Sequence, residues 1–262
     1  MSKIFSKKSL FSVLILLVVI LPGCTSTRSV FVNVISVIDG DTIRVMYDAD
    51  DDGLLDKVSV RYIGIDTPEI HPGSKPVGEY GEEAYEFNRT LIETSDYEVR
   101  LEVYGTDYYD RVLAYVYTRN GVFINEEIIE NGLARPLTYK DTAHHSEDFK
   151  KAYYKAYEDR KGFFEKYDTT SVEAVDVKSN LTSFLGKVIW IEFEVDQSNK
   201  NSFQSNDALV EIREEEKDLF FTDNANFENY DGKKIRVFGE IWEENDKPKI
   251  LLRAPFELKI IN

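Results

Sequence analysis

The chain predicts a mainly β fold with helices, an α+β architecture in which a five-stranded barrel with three helices precedes a second small β-barrel. Three observations carry that expectation. Apolar and polar residues alternate in short runs from Val30 to Val60, as in half-buried strands. The period changes over Glu79–Thr94, where Ala84, Phe87, Leu91 and Ile92 share one helical face. Beyond residue 180, five strand-like runs follow without a strong helical period.

Taken in order, Val32, Val34, Val37 and Ile38 lead into Asp39-Gly40-Asp41, after which Ile43, Val45 and Tyr47 alternate. An acidic, glycine-containing turn from Asp48 to Asp56 separates these from Val58, Val60, Tyr62, Ile63 and Ile65. Glu98–Val103 and Arg111–Thr118 read as two further strands, joined by a loop at Tyr104–Asp110. Val122–Asn131 reads as a short helix ended by Gly132. Ser146–Lys166 reads as a longer helix, with Phe149, Ala152, Tyr153 and Ala156 three or four apart. Five strands interleaved with three helices fit a small Greek-key barrel of OB type. The polar stretch 169–180 is expected as a linker. Val188–Val195, Ala208–Arg213, Leu219–Thr222, Lys234–Glu240 and Lys249–Arg253 are expected as the strands of an OB-like unit. The expected units are therefore a leader at 1–23, a first domain at 30–168 and a second at 181–262.

An apolar content of 42% with 13% aromatics excludes wholesale disorder. The net charge is −16, with 17 basic against 30 acidic side chains over residues 24–175 and 12 against 18 over residues 176–262. Neither region has the basic balance of a generic nucleic-acid binder. At the N-terminus Lys3, Lys7 and Lys8 precede an apolar run from Leu10 to Leu21 that is short for a membrane span. Leu21-Pro22-Gly23-Cys24 then resembles a lipoprotein signal, which implies lipidation of Cys24 and anchorage to the outer face of the cell membrane. A plain signal peptide or an uncleaved anchor is the alternative. Cys24 is the only cysteine, so the sequence offers neither a disulfide nor a cysteine zinc site.

Four short elements carry the chemistry: Asp39-Gly40-Asp41-Thr42, the run from Arg61 to Glu69, Asp107-Tyr108-Tyr109-Asp110-Arg111, and the run from Asn125 to Ala134. Asp41 and Asp66 each stand at a strand end, where two carboxylates suit one hard cation such as calcium. Arg61 lies on the same strand face as Ile63 and Ile65, near whatever the strand end binds. Its planar fork suits a phosphate, and Arg111 would supply a second cation. Glu69, just past Pro68, has the chemistry to orient or deprotonate a water. Each element alone is more often an ordinary turn or a surface pair.

Together, in this order, they resemble the staphylococcal nuclease family over about Val32 to Tyr167. The resemblance extends to Tyr80-Gly81-Glu82-Glu83-Ala84 and to Arg160-Lys161-Gly162-Phe163-Phe164. It implies an OB-type barrel with three helices and calcium-dependent (Ca2+) hydrolysis of DNA and RNA phosphodiesters, with 3′-phosphorylated products. It also implies Asp41, Asp66 and the Thr67 carbonyl as calcium ligands, and Arg61 and Arg111 as phosphate-binding residues. Glu69 takes the place of the general base, and Tyr109, Tyr139 and Lys140 are placed by the substrate. Asp110 stands where the family commonly has glycine, and Tyr108 where lysine is frequent. No obligate protein partner is evident.

The turn offers Asp48, Asp50, Asp52 and Asp56 at the first, third, fifth and ninth positions of a calcium-loop pattern, with Gly53 sixth. A second calcium ion is one expectation and a solvated acidic turn the other. Three functions stay open: an extracellular calcium-dependent nuclease, a nucleic-acid-binding module with little turnover, and a calcium-binding surface lipoprotein.

Overall fold

The computed structural model describes residues 28–73, 75–221 and 227–261; the expected leader and Cys24 lie outside them. Strands β1 (Arg28–Asp39), β2 (Thr42–Tyr47), β3 (Asp56–Tyr62) and the short β4 (Gly64–Asp66) come first, followed by helix α1 (Gly81–Thr94). Then come β5 (Glu98–Thr106), β6 (Val112–Thr118), α2 (Ile124–Glu130), β7 (Arg135–Leu137) and α3 (Ser146–Glu158). Strands β1, β2, β3, β6 and β5 close into a barrel in that order, with β3 and β6 parallel. The alternation read from the sequence is what closes it: Val32, Val34, Ile43, Val45, Val60, Val99, Leu101 and Ala114 all point inward and are buried. β4 pairs outside the barrel with β7, setting Asp66 opposite Arg135.

Two buried amides tie the helices to this frame. Asn88 of α1 accepts from the Tyr62 hydroxyl at 3.0 Å and donates to the Asp39 carbonyl at 3.0 Å. Asn125 of α2 donates to the Ile63 carbonyl at 2.8 Å and accepts from the Val116 amide at 3.0 Å. Both are fully buried, so these bonds remove polar groups that would otherwise cost stability. The expected helix over Ser146–Lys166 stops at Glu158. Arg160 and Gly162 both take positive φ, and a tight 3-10 turn over Gly162–Lys166 follows. A Cβ at Gly162 would sit 2.1 Å from the Gly132 carbonyl oxygen. The break thus lets two backbone segments touch and turns Phe163 and Phe164 into the core.

The expected linker is structured. It carries β8 (Val172–Glu173) and α4 (Ala174–Ser179), followed by the short α5 (Leu181–Phe184), and Ala174 and Val177 are buried. Next come β9 (Val188–Glu194), β10 (Gln197–Asn199), β11 (Ser202–Gln204), β12 (Leu209–Ile212) and α6 (Glu214–Phe220). The chain ends with β13 (Lys234–Glu240), β14 (Trp242–Glu244), β15 (Lys247–Leu252) and β16 (Leu258–Ile261). Leu219 to Phe221, expected as strand, lie in and just after α6, whose first turn holds Glu214, Glu215 and Glu216, as the helix dipole favours. Thr222 lies outside the described residues. This further β-unit is hydrogen-bonded as two sheets, β10-β11-β12-β15-β14 and β16-β13-β9-β8, facing a common core.

The two units are not separate. Val188, Trp190, Phe220, Phe238 and Ala254 of the second belong to the core of the first. The Trp190 indole donates to the Tyr167 carbonyl at 2.6 Å, and the Tyr167 hydroxyl donates to the Phe256 carbonyl. Tyr157 and Phe256 stack with ring centres 4.1 Å apart. Among the described residues no helix is long and apolar enough to cross a membrane.

Candidate active site

The turn between β1 and β2 and the end of β4 meet at the mouth of the barrel. Gly40 is required there: a Cβ would lie 2.7 Å from both Ala84 Cβ and Thr67 Cγ2. The close approach brings Asp41 beside Thr67. Oδ2 of Asp41 accepts from the Thr67 amide at 2.9 Å and from its hydroxyl at 3.0 Å. The Arg61 guanidinium bridges the two strand-end carboxylates, 2.8 Å from Asp41 and 3.3 Å from Asp66. Lys75 completes the group, 2.8 Å from Asp66 and 3.5 Å from Glu69.

Asp41, Arg61, Asp66, Glu69 and Lys75 line a cleft of about 1080 Å³. On its rim, Arg111 grips Asp107 with Nε at 2.8 Å and Nη2 at 2.7 Å. Asp107, rather than Asp110, therefore holds this arginine. Asp110 itself takes φ 59°, the left-handed conformation that glycine adopts without strain. Tyr109 is 75% exposed, with the Arg111 guanidinium 5.6 Å from its ring centre. Tyr139 is half-exposed beneath Arg213, at 4.5 Å. Lys140 is exposed and does not line the cleft. The structure thus gathers Asp41, Arg61, Asp66 and Glu69 in the cleft and Tyr109, Arg111 and Tyr139 on its walls, leaves Lys140 outside, and uses Thr67 to hold Asp41.

Burial and the neighbouring Asp41 charge push the Asp39 carboxyl up to about 7. Burial also works against ionised Asp66, yet Lys75, Arg61 and Arg253 outweigh it and hold that carboxyl below its usual range. Burial disfavours the Arg61 charge, but Asp41 and Asp66 more than compensate and raise its pKa. For a metal, the donor set is all oxygen. Four carboxylates, Asp39, Asp41, Asp66 and Glu69, face the cleft, with Arg61, Lys75 and Arg253 the cations that act on Asp66. Hard oxygen donors of this kind fit a calcium-like dication.

The hairpin tip differs. Asp48, Asp50 and Asp52 place carboxylate oxygens within 4.8 Å of one another, the one such group of three among the described residues. Asp56, expected with them, is instead the first residue of β3 and outside the cluster. The three carboxylates also accept backbone amides of Asp52, Gly53 and Leu54.

Sequence reasoning missed Lys75, Arg213 and Arg253 in this cleft. Lys75 lies in an irregular loop without a pattern, and the two arginines come from the second unit, as does Trp242, which the sequence offers as a stacking or a core aromatic. Asp39 was in view within the first motif but not singled out as a cleft carboxylate.

Comparison with known proteins supplies the family. The staphylococcal nuclease homologue family matches residues 59–166. A thermonuclease of Staphylococcus hyicus is 35% identical over 130 residues, covering 50% of this chain and 73% of that protein. The SPbeta prophage-derived endonuclease YokF of Bacillus subtilis is 35% identical over 116 residues, covering 44% of this chain and 37% of its own length. Endonuclease YncB of the same organism is 37% identical over 99 residues, covering 37% of this chain and 44% of its own length. The match takes in the second motif, the third and the fourth, and the chain belongs to the staphylococcal nuclease family.

Proposed function

We propose that the protein is an extracellular, calcium-dependent nuclease that hydrolyses DNA or RNA and leaves 3′-phosphates. One observation carries this reading: Asp41, Arg61, Asp66, Glu69 and Arg111 border a single open cleft. Asp41 and Asp66, with the Thr67 carbonyl, would hold calcium. When bound, that ion supplies a Lewis acid and a template for phosphate and water. Arg61 and Arg111 then turn their forks from carboxylate to phosphate and offset charge developing in the transition state. Glu69, 38% exposed on its side chain and 3.5 Å from Lys75, takes the proton of the attacking water. Tyr109 and Tyr139 offer exposed rings to bases.

The cluster of Lys3, Lys7 and Lys8, the apolar run and Cys24 support export and lipid anchorage on the outer face of the membrane. Asp48, Asp50 and Asp52 form a candidate second, structural calcium site. A binding module with little turnover is the second reading, favoured by the tight Arg111–Asp107 pair. Cleavage of single- and double-stranded DNA and RNA with calcium or with a chelator separates the two, with Glu69→Gln as control. Calcium-dependent cleavage lost in that variant supports the nuclease, and tight binding without cleavage supports the module.

A further inference from the structure

The cleft has two walls, and only one belongs to the barrel. Opposite Asp41, Arg61 and Asp66 it is bordered by Arg213, Trp242, Leu251 and Arg253 of the second unit. Arg253 is the informative residue. It is 1% exposed, and its Nε and Nη1 are buried without a hydrogen-bond partner. Two buried guanidinium nitrogens without a hydrogen bond are costly even with the Asp66 charge nearby, and a further anion in the cleft would relieve them.

The backbone around Arg253 is nevertheless fixed. The Arg253 and Ala254 amides donate to Glu257 Oε2 at 2.6 and 3.1 Å, while Glu257 Oε1 accepts from the Tyr153 hydroxyl of α3. The arginine is therefore preorganised by a contact that reaches the barrel unit, not left on a loose loop. Trp242, partly exposed at the start of β14, adds an aromatic face, with Lys75 Nζ 5.2 Å from its ring centre.

Resting on the nuclease reading of the same cleft, we propose that the second unit grips the substrate strand, Arg253 contacting a backbone phosphate beside the scissile one and Trp242 stacking on a base. A base can lie on Trp242 only if it is unpaired and unstacked, so this wall selects single strands. Arg213 keeps Tyr139 in place from the same side: its Nη2 donates to the Thr138 carbonyl at 2.9 Å while its guanidinium covers the Tyr139 ring.

The test uses the full chain carrying Glu69→Gln, with calcium, and a fluorescent single-stranded DNA oligonucleotide. Arg253→Met weakens binding roughly tenfold, as loss of one charged hydrogen bond does. It also lowers the slope of log affinity against log salt by about 0.7, the signature of one lost phosphate contact. A purely structural role would not move that slope. Arg253→Lys retains most of the slope, and should the methionine variant fail to fold, the equally uncharged Arg253→Gln replaces it and loses the same slope. Trp242→Ala weakens single-strand binding about tenfold while leaving duplex binding unchanged. Unaltered affinity and salt slope in folded Arg253→Met, together with unaltered binding in Trp242→Ala, overturn the inference while the nuclease reading stands on cleavage by the wild-type chain with Glu69 intact. A wild-type chain that neither binds nor cuts nucleic acid overturns both.

Discussion

On the barrel wall of the cleft, Arg61 lies 2.8 Å from Asp41 and 3.3 Å from Asp66; on the opposite wall, Arg253 has two buried guanidinium nitrogens with no partner. The first wall is electrostatically closed on itself, so a phosphate must compete with carboxylates for Arg61 unless a cation takes those carboxylates over. The second wall keeps its arginine buried near the Asp66 charge, but leaves two guanidinium nitrogens without a hydrogen bond. Charge sign alone therefore does not decide whether a site suits a polyanion. This chain carries a net charge of −16, yet its cleft holds Arg61, Lys75, Arg111, Arg213 and Arg253. Weak long-range steering and strong local contacts are compatible, because exposed charges are screened within about 10 Å at ordinary ionic strength.

The largest expected effect breaks the barrel wall. Arg61→Lys removes the fork that spans Asp41 and Asp66, and Asp41→Ala removes a calcium carboxylate. Loss of a transition-state stabiliser of this kind lowers turnover by roughly 10²–10³. Single-turnover cleavage at saturating calcium measures it, and wild-type rates in Arg61→Lys would remove this wall from the chemistry.

The next effect asks whether the two walls fold as one body. Phe256 stacks on Tyr157 and also meets Tyr153, Tyr154, Phe164 and Tyr167. Phe256→Ala should cost about 3 kcal/mol. For a chain of this size that lowers Tm by roughly 10 °C. Calorimetry should show one transition moving as a whole. Two transitions, with only the later one shifted, would mean that the walls are separate folding units.

How much of this was legible follows the same division. The barrel was readable because its strands alternate, with Val32, Val34, Ile43, Val45 and Val60 all turned inward. The site was readable because Asp41, Arg61, Asp66 and Glu69 lie close along the chain at strand ends. The second unit gave weaker signals. Leu219 and Phe220 look like strand in isolation, but three glutamates ahead of them start a helix that docks on α3. Residues 169–180 look polar, yet Ala174 and Val177 are the two that reach the core. Arg253 had no motif at all. Its place depends on Glu257, Tyr153 and the contact between units, which no local pattern encodes.

A smaller effect sharpens the picture of the rim. The Asp107 carboxylate, not that of Asp110, pairs with Arg111, and Asp110 sits at φ 59°. Replacing it by glycine relieves a left-handed residue, worth about 1 kcal/mol. It also loosens the unfolded chain by a similar amount. Asp110→Gly should therefore change Tm by only about 2 °C and leave the Arg111 pair, and with it the cleavage rate, within roughly twofold of wild type. A large rise in rate would mean that the Asp110 carboxylate competes with the substrate phosphate for Arg111.

The smallest expected effect compares the cleft carboxylates with those at the hairpin tip. Asp41 and Asp66 are buried and matched by Arg61 and Lys75, whereas Asp48, Asp50 and Asp52 stand mostly in solvent around the amides of Asp52, Gly53 and Leu54. Those amides already satisfy part of each carboxylate, and water screens the rest, so a calcium ion there gains little from neutralising them. The position of the bidentate glutamate in a full calcium loop is Ser59, which lies in β3. Calorimetry should accordingly find two calcium ions per chain, the weaker lost in Asp50→Ala/Asp52→Ala. That double variant should lower Tm in calcium by about 2 °C and leave cleavage unchanged, because the tip does not line the cleft. One calcium ion per wild-type chain would make the tip a self-bonded acidic turn and leave metal binding to the buried wall alone.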